Sequence, residues 1–169
     1  MRKHWKLVAA AAALVACSDG DNAVKAQSAF TVSPVATFRE PWAMAFLPGG
    51  RLLVTEKRGA LKLYSLESGQ SVDVAGVPAV EYAGQGGLGD VVVHPDFATN
   101  GVVYLSYAES GERAAAGAAV ARAKLVQSDG RASLDGLSVI WRQTPKVSGR
   151  GHYGHRIAFG PDEIGRAHV

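Results

Sequence analysis

Hydrophobic positions come in short runs closed by turns. Residues 42–47, Trp-Ala-Met-Ala-Phe-Leu, are apolar and stop at Pro48-Gly49-Gly50. Residues 51–55 resume as a strand, Lys57-Arg58-Gly59 turns, and residues 60–64, Ala-Leu-Lys-Leu-Tyr, alternate as a half-buried strand does. Leu66-Glu67-Ser68-Gly69 closes this first antiparallel meander. The same order returns downstream. Residues 90–96 run apolar into His94-Pro95-Asp96, Thr99-Asn100-Gly101 turns, and strands over 102–107 and 119–125 are followed by a turn at Ser128-Asp129-Gly130. A third copy opens at Arg156-Ile157-Ala158-Phe159-Gly160-Pro161-Asp162.

Each copy is an apolar strand and a proline, followed by a second strand where the chain allows. The marker prolines Pro48, Pro95 and Pro161 stand 47 and 66 residues apart. A unit of about 40–50 residues built from short antiparallel strands is the pattern of β-propeller blades. The longer spacing calls for an insertion, which residues 109–117 and 143–154 can supply. Ala114-Ala115-Ala116, bracketed by Gly111 and Gly117, is assigned to the hairpin loop rather than to a helix. The expected class is all-β, a partial propeller of four-stranded antiparallel blades, about two of them plus the start of a third. A generic antiparallel sandwich is the alternative.

The N-terminus does not fit that pattern. Arg2, Lys3 and Lys6 precede the apolar run 7–16, Cys17 follows, and residues 18–22 are abruptly polar. A basic start, a short apolar run and a small-residue exit mark an export signal, and the run falls well short of the roughly 20 residues that span a bilayer. Residues 1–17 are read as this signal and 18–32 as a flexible tether. Removing three basic residues from 18 leaves 15, against 15 acidic ones, so the formal charge of +3 vanishes with the signal. Nothing in that balance asks for nucleic acid or an anionic membrane surface. The single cysteine excludes an internal disulfide. Leu14-Val15-Ala16-Cys17 resembles a bacterial lipobox, which implies lipidation at Cys17. With Ser18 next, it implies outer-membrane anchoring in the periplasm; a soluble periplasmic protein is the alternative.

The candidate chemistry lies in Ser148-Gly149-Arg150-Gly151-His152-Tyr153-Gly154-His155-Arg156, a glycine-rich loop leading into the third apolar strand. A second candidate, Gln85, stands among glycines in Gly84-Gln85-Gly86-Gly87. The run Gly84-Gln85-Gly86-Gly87-Leu88-Gly89-Asp90-Val91-Val92-Val93-His94-Pro95-Asp96-Phe97 resembles the pyrroloquinoline quinone (PQQ)-dependent sugar dehydrogenases, the aldose and glucose/sorbosone group. Pro41-Trp42-Ala43-Met44-Ala45-Phe46-Leu47-Pro48 resembles that family's opening strand, and Gly151-His152-Tyr153-Gly154-His155-Arg156 its histidine loop. The likeness covers residues 35–162.

The resemblance implies a six-bladed propeller with PQQ and calcium on one face. It implies that His152 takes the proton of an aldose C1 hydroxyl while hydride passes to PQQ, giving a lactone, and that Gln85 lines the same cofactor and sugar pocket. The residue types suit this. The quinone carries the redox step, imidazole has an ordinary pKa near 6.5, and an amide both donates and accepts. An external electron acceptor is implied, and oligomeric state is not. The main PQQ and calcium ligands are expected downstream of this chain, with no metal ligand inside it.

His155 departs from the family, which has a small residue there. It is expected to crowd the pocket, pair with an acid or face solvent. His94 is given no chemistry, Arg156 a structural role, Arg150 and Lys146 solvated positions, and Trp42 and Trp141 core or blade-packing positions. The propeller-like domain is drawn over 33–162. Residues 163–169 are expected to be a non-native tail, because 164–169 match the translation of a common sequencing adapter in one frame. The chain is thus expected to be an inactive N-terminal fragment of the dehydrogenase. The alternatives are a non-enzymatic sugar- or partner-binding propeller and a lactonase-type propeller hydrolase.

Overall fold

The computed structural model describes residues 30–161 and 165–168; Cys17 and the expected export signal lie outside the described residues. Among the described residues every strand falls within the unit Pro34–Val169. Strands β1 (Pro41–Leu47), β2 (Arg51–Glu56), β3 (Ala60–Ser65) and β4 (Ser71–Ala75) form one antiparallel meander. Strands β5 (Leu88–Val93), β6 (Val102–Ser110), β7 (Ala115–Ser128) and β8 (Arg131–Arg142) form a second. The helical turn α1 (Phe97–Asn100) joins β5 to β6. The last strands of the two meanders join in parallel, Val74 opposite Ala132 and Ala75 opposite Ser133. Their first strands, β1 and β5, lie side by side. The all-β, propeller-type arrangement expected from the spacing of turns is present.

The burial pattern explains why these residues form strands. Leu53 and Leu63 face the second meander, where they meet Leu88, Val91, Leu105 and Tyr107 in the main core. Leu52, Val54 and Tyr64 form a smaller cluster with Phe38. Strand β2 is therefore buried on both faces, which is why Leu52-Leu53-Val54 reads as a continuous apolar run. On β7, Ala119, Ala121 and Ala123 belong to the main core, and small side chains in a row allow close approach. Each fully buried leucine or valine contributes about 1.5–3 kcal/mol over exposure.

Several expectations are corrected. Ala115 and Ala116 are strand rather than loop: Ser110 pairs with Ala116, and the hairpin turns over 111–114. The turn is tight because Arg113 and Ala114 both take left-handed backbone, with φ of 51° and 61°. Of the core or blade-packing positions expected of Trp42 and Trp141, the core one is excluded, since they are 47% and 44% exposed. On β1, Trp42, Met44 and Phe46 form an exposed apolar row at period two. Lys146 is ion-paired and only partly exposed rather than a free loop charge. Its Nζ donates to Glu109 Oε2 and to Ser110 O, both at 2.7 Å, tying the 143–154 segment to the β6–β7 hairpin. Burial alone would raise the Glu109 carboxyl pKa, but hydrogen bonds from Lys146 and Arg142 hold it below its ordinary value.

Short strand β9 (Val147–Ser148) adds to β7, and the histidine loop follows it. The loop leads into β10 (Arg156–Phe159), whose antiparallel partner is β11 (Gly165–His168), so backbone within the expected non-native tail is placed as a paired strand.

Candidate active site

The loop before β5 and the loop before β10 are stitched together. The Gln85 backbone N–H donates to Arg150 O at 2.7 Å. In return the His152 backbone N–H donates to Gln85 Oε1 at 2.6 Å. The approach needs glycine at position 84: φ there is +58°, and a Cβ would stand 2.2 Å from Arg150 O. Lys57, in the β2–β3 turn, holds the same loop by donating from Nζ to Gly84 O at 2.6 Å. Its own carbonyl accepts from Leu88 N–H at 3.0 Å.

These bonds leave two functional groups together and exposed. The Gln85 Oε1 is occupied by a backbone donor, which fixes the amide's orientation, and its Nε2 has no partner among the described residues. The His152 side chain is exposed, and its backbone is left-handed at φ 65°. A hollow of about 640 Å³ adjoins it, lined by residues that include Gln143, Ser148, Arg150 and Tyr153. An imidazole can remove a proton and an amide NH2 can donate to an oxygen, so the pair can deprotonate a hydroxyl while holding a neighbouring oxygen.

A family model described as Glucose / Sorbosone dehydrogenase matches residues 38–164, which include both loops. The chain belongs to the glucose/sorbosone dehydrogenase family. Aldose sugar dehydrogenase YliI of Escherichia coli is 42% identical over 120 residues, which are 70% of this chain and 32% of that protein. A glucose dehydrogenase of known structure is 46% identical with a TM-score of 0.69, over 73% of this chain and 38% of that one. The PQQ-bound aldose sugar dehydrogenase of Streptomyces coelicolor is 29% identical with a TM-score of 0.65, over 76% of this chain and 37% of that one. The chain spans about a third of the length of these glucose/sorbosone dehydrogenase relatives.

His155, the departure from the family pattern, neither faces solvent nor pairs with an acid among the described residues. It is 2% exposed, and no acid among the described residues lies in hydrogen-bonding range of its ring. Ser106 Oγ lies 3.0 Å from His155 O and 3.3 Å from His155 Nδ1. A carbonyl can only accept, so the hydroxyl proton goes to it and Nδ1–H donates to Oγ. The other nitrogen, Nε2, is buried with no hydrogen-bond partner among the described residues. Trp42 meets the ring edge-on at 5.8 Å and Tyr153 stacks at 5.5 Å. Burial disfavours the charged form and lowers the His155 pKa to about 4.

Residues passed over in the sequence hold this loop end. The Asp90 N–H donates to Ser106 Oγ at 3.0 Å, and Asp90 Oδ2 accepts from Ile157 N–H at 2.9 Å. Burial raises the Asp90 carboxyl pKa, against the bond from Ile157 and the charge of Arg156. Arg156 reaches Asp90 Oδ2 at 3.9 Å, in keeping with the structural role expected of it. An aspartate inside the apolar strand 88–93 was the available signal, since a buried carboxylate needs a partner. His94 packs on Tyr104 and Phe159 and accepts from Asp96 N–H, a structural role.

Proposed function

We propose that this chain supplies the proton-accepting part of a PQQ-dependent aldose dehydrogenase that oxidises C1–OH of aldoses to lactones. The observation that carries the reading is the His152–Gln85 bond, which leaves an exposed imidazole beside an amide NH2 with no partner among the described residues. That donor and the exposed Arg150 beside it fit an anionic quinone with oxygens at its rim. The chemistry that PQQ supplies when bound is acceptance of the hydride from C1. His152 takes the hydroxyl proton on a ring nitrogen, and Gln85 Nε2 holds an oxygen of the sugar or cofactor. The family and the PQQ-bound relative support this reading.

Among the described residues, no three His, Cys, Asp or Glu side chains group so as to hold a metal ion. The ligands of the calcium that the family resemblance implies are proposed to come from other parts of the complete enzyme. The two meanders are read as two successive blades of a six-bladed propeller, with β10 opening the next, and an external electron acceptor is proposed as a partner of the complete enzyme. Cys17 is proposed as a lipid anchor on a periplasmic protein, and palmitate labelling lost in Cys17→Ser is its test. The test of function is dye reduction by an aldose in the PQQ-loaded complete enzyme. His152→Ala is expected to lose about 10²–10⁴ in kcat; near wild-type kcat in that variant removes His152 from the base role.

A further inference from the structure

His152 is held from one side by Gln85, but the loop has a second fixed end. His155 is a non-glycine residue with left-handed backbone, φ 55°, three positions on. Its ring fills space that only glycine at position 89 leaves open: a Cβ on Gly89 would stand 2.3 Å from His155 Cγ. Gly89 is in turn fixed, because its carbonyl accepts from the buried Thr55 hydroxyl at 2.7 Å. Strands β2, β5 and β6 thus converge on one imidazole through Thr55, Gly89 and Ser106. Between the pinned residues 152 and 155 only Tyr153 and Gly154 remain, and Tyr153 stacks on that imidazole with an interplanar angle of 27°.

We propose that His155 is a positioning residue: its imidazole, seated against Gly89 and held by Ser106, carries Tyr153 and so fixes where the loop presents His152. The charged and titratable neighbours of this seat are Asp90 and Arg156 behind it and Glu81 near Tyr153. None is in hydrogen-bonding range of the ring among the described residues, so its hold is steric and through Ser106. The kinetic half of this inference rests on the base role proposed for His152; the structural half does not.

The decisive variant is His155→Gly in the complete enzyme. Glycine adopts the left-handed turn without strain, so a residue needed only for the turn is replaced without loss. If the ring is the positioning element, His155→Gly lowers kcat about tenfold, leaves KM for the aldose within about twofold, and speeds amide exchange at His152 at least about tenfold. Wild-type kcat and wild-type exchange at His152 overturn the proposal. Should the glycine variant not fold, His155→Asn keeps a side-chain N–H for Ser106 and removes the ring under Tyr153. Faster exchange at His152 and Tyr153 supports the proposal there, and unchanged exchange overturns it. Exchange is measured without sugar or PQQ, so a wild-type enzyme inactive on aldoses refutes the dehydrogenase reading without touching this arm.

Discussion

The His152 backbone N–H and the Gln85 side-chain oxygen, 67 positions apart in sequence, meet at 2.6 Å. One amide therefore does two jobs, holding the loop through Oε1 and offering a donor through Nε2. Gln85→Glu separates them. A carboxylate still accepts from the His152 N–H, and the resulting charge-assisted bond is the stronger one. The donor is gone. We expect amide exchange at His152 no faster than in wild type, with kcat/KM down about 10–100-fold, a loss of roughly 1.4–2.7 kcal/mol. Gln85→Ala should lose both. Unchanged kcat/KM in Gln85→Glu would show that Nε2 touches nothing in the reaction.

Gly89 and His155 should behave as one unit. Gly89→Ala forces a methyl to within 2.3 Å of His155 Cγ, and overpacking of this kind costs about 1–3 kcal/mol. Adding His155→Gly removes both the ring and the His155 Cβ, which would stand 2.3 and 2.7 Å from the new methyl. The double-mutant cycle is expected to show about 1–3 kcal/mol of favourable coupling by denaturant melts. Additive losses would mean that the seat relaxes freely around the ring.

Stability should fall as pH drops from 6.5 towards 4. In the unfolded chain His155 takes up a proton near its ordinary 6.5, whereas burial keeps the folded ring neutral down to about 4. The unfolded state therefore binds more protons in this window, and the loss reaches at most about 3 kcal/mol. Asp90 acts in the opposite sense: its raised pKa lets the folded state bind a proton first, so its contribution grows on acidification. His155→Asn is expected to flatten the slope between pH 4 and 6.5 in urea melts at several pH values. An identical slope in the variant would show that other groups set it.

The exposed row on β1 distinguishes a partner surface from a solvent surface. Phe46 is 66% exposed, so Phe46→Ser in this chain should change stability by no more than about 0.5 kcal/mol. If a neighbouring blade covers the row in the complete enzyme, the same change should cost about 3 kcal/mol or more there. Equal small effects in both would leave the row facing solvent.

Sequence patterning located the strands that are apolar enough to show. β2, β5 and β10 are short apolar runs ended by turns, and they sit where expected. It missed β4 and β8, which contribute little to the pattern. β4 buries only Val74 fully, and β8 carries polar residues through most of its length because one side is exposed. Gln85 and His152 were recognisable as candidates, and the structure brings them together. The bond between them was not recognisable, because it joins a backbone donor to a side chain across the whole second meander. His155 was misjudged for a related reason. A histidine after glycine in a loop looks solvated, and only the gap at Gly89, on another strand, makes room to bury it. For Trp42 and Trp141 only the core alternative failed, because large aromatics are taken as core, whereas both lie on faces the described residues do not cover.

The stitch between the two loops also sets a time order. The bonds from Gln85 to Arg150 and from His152 to Gln85 close over 65 and 67 positions, and closing so long a loop is repaid only once the strands between have docked. During folding the pair should form after the β5–β8 meander, as one of the last events. In partial unfolding it should be among the first contacts to open, so a cell protease would meet Gly149-Arg150-Gly151 while the core strands are still intact.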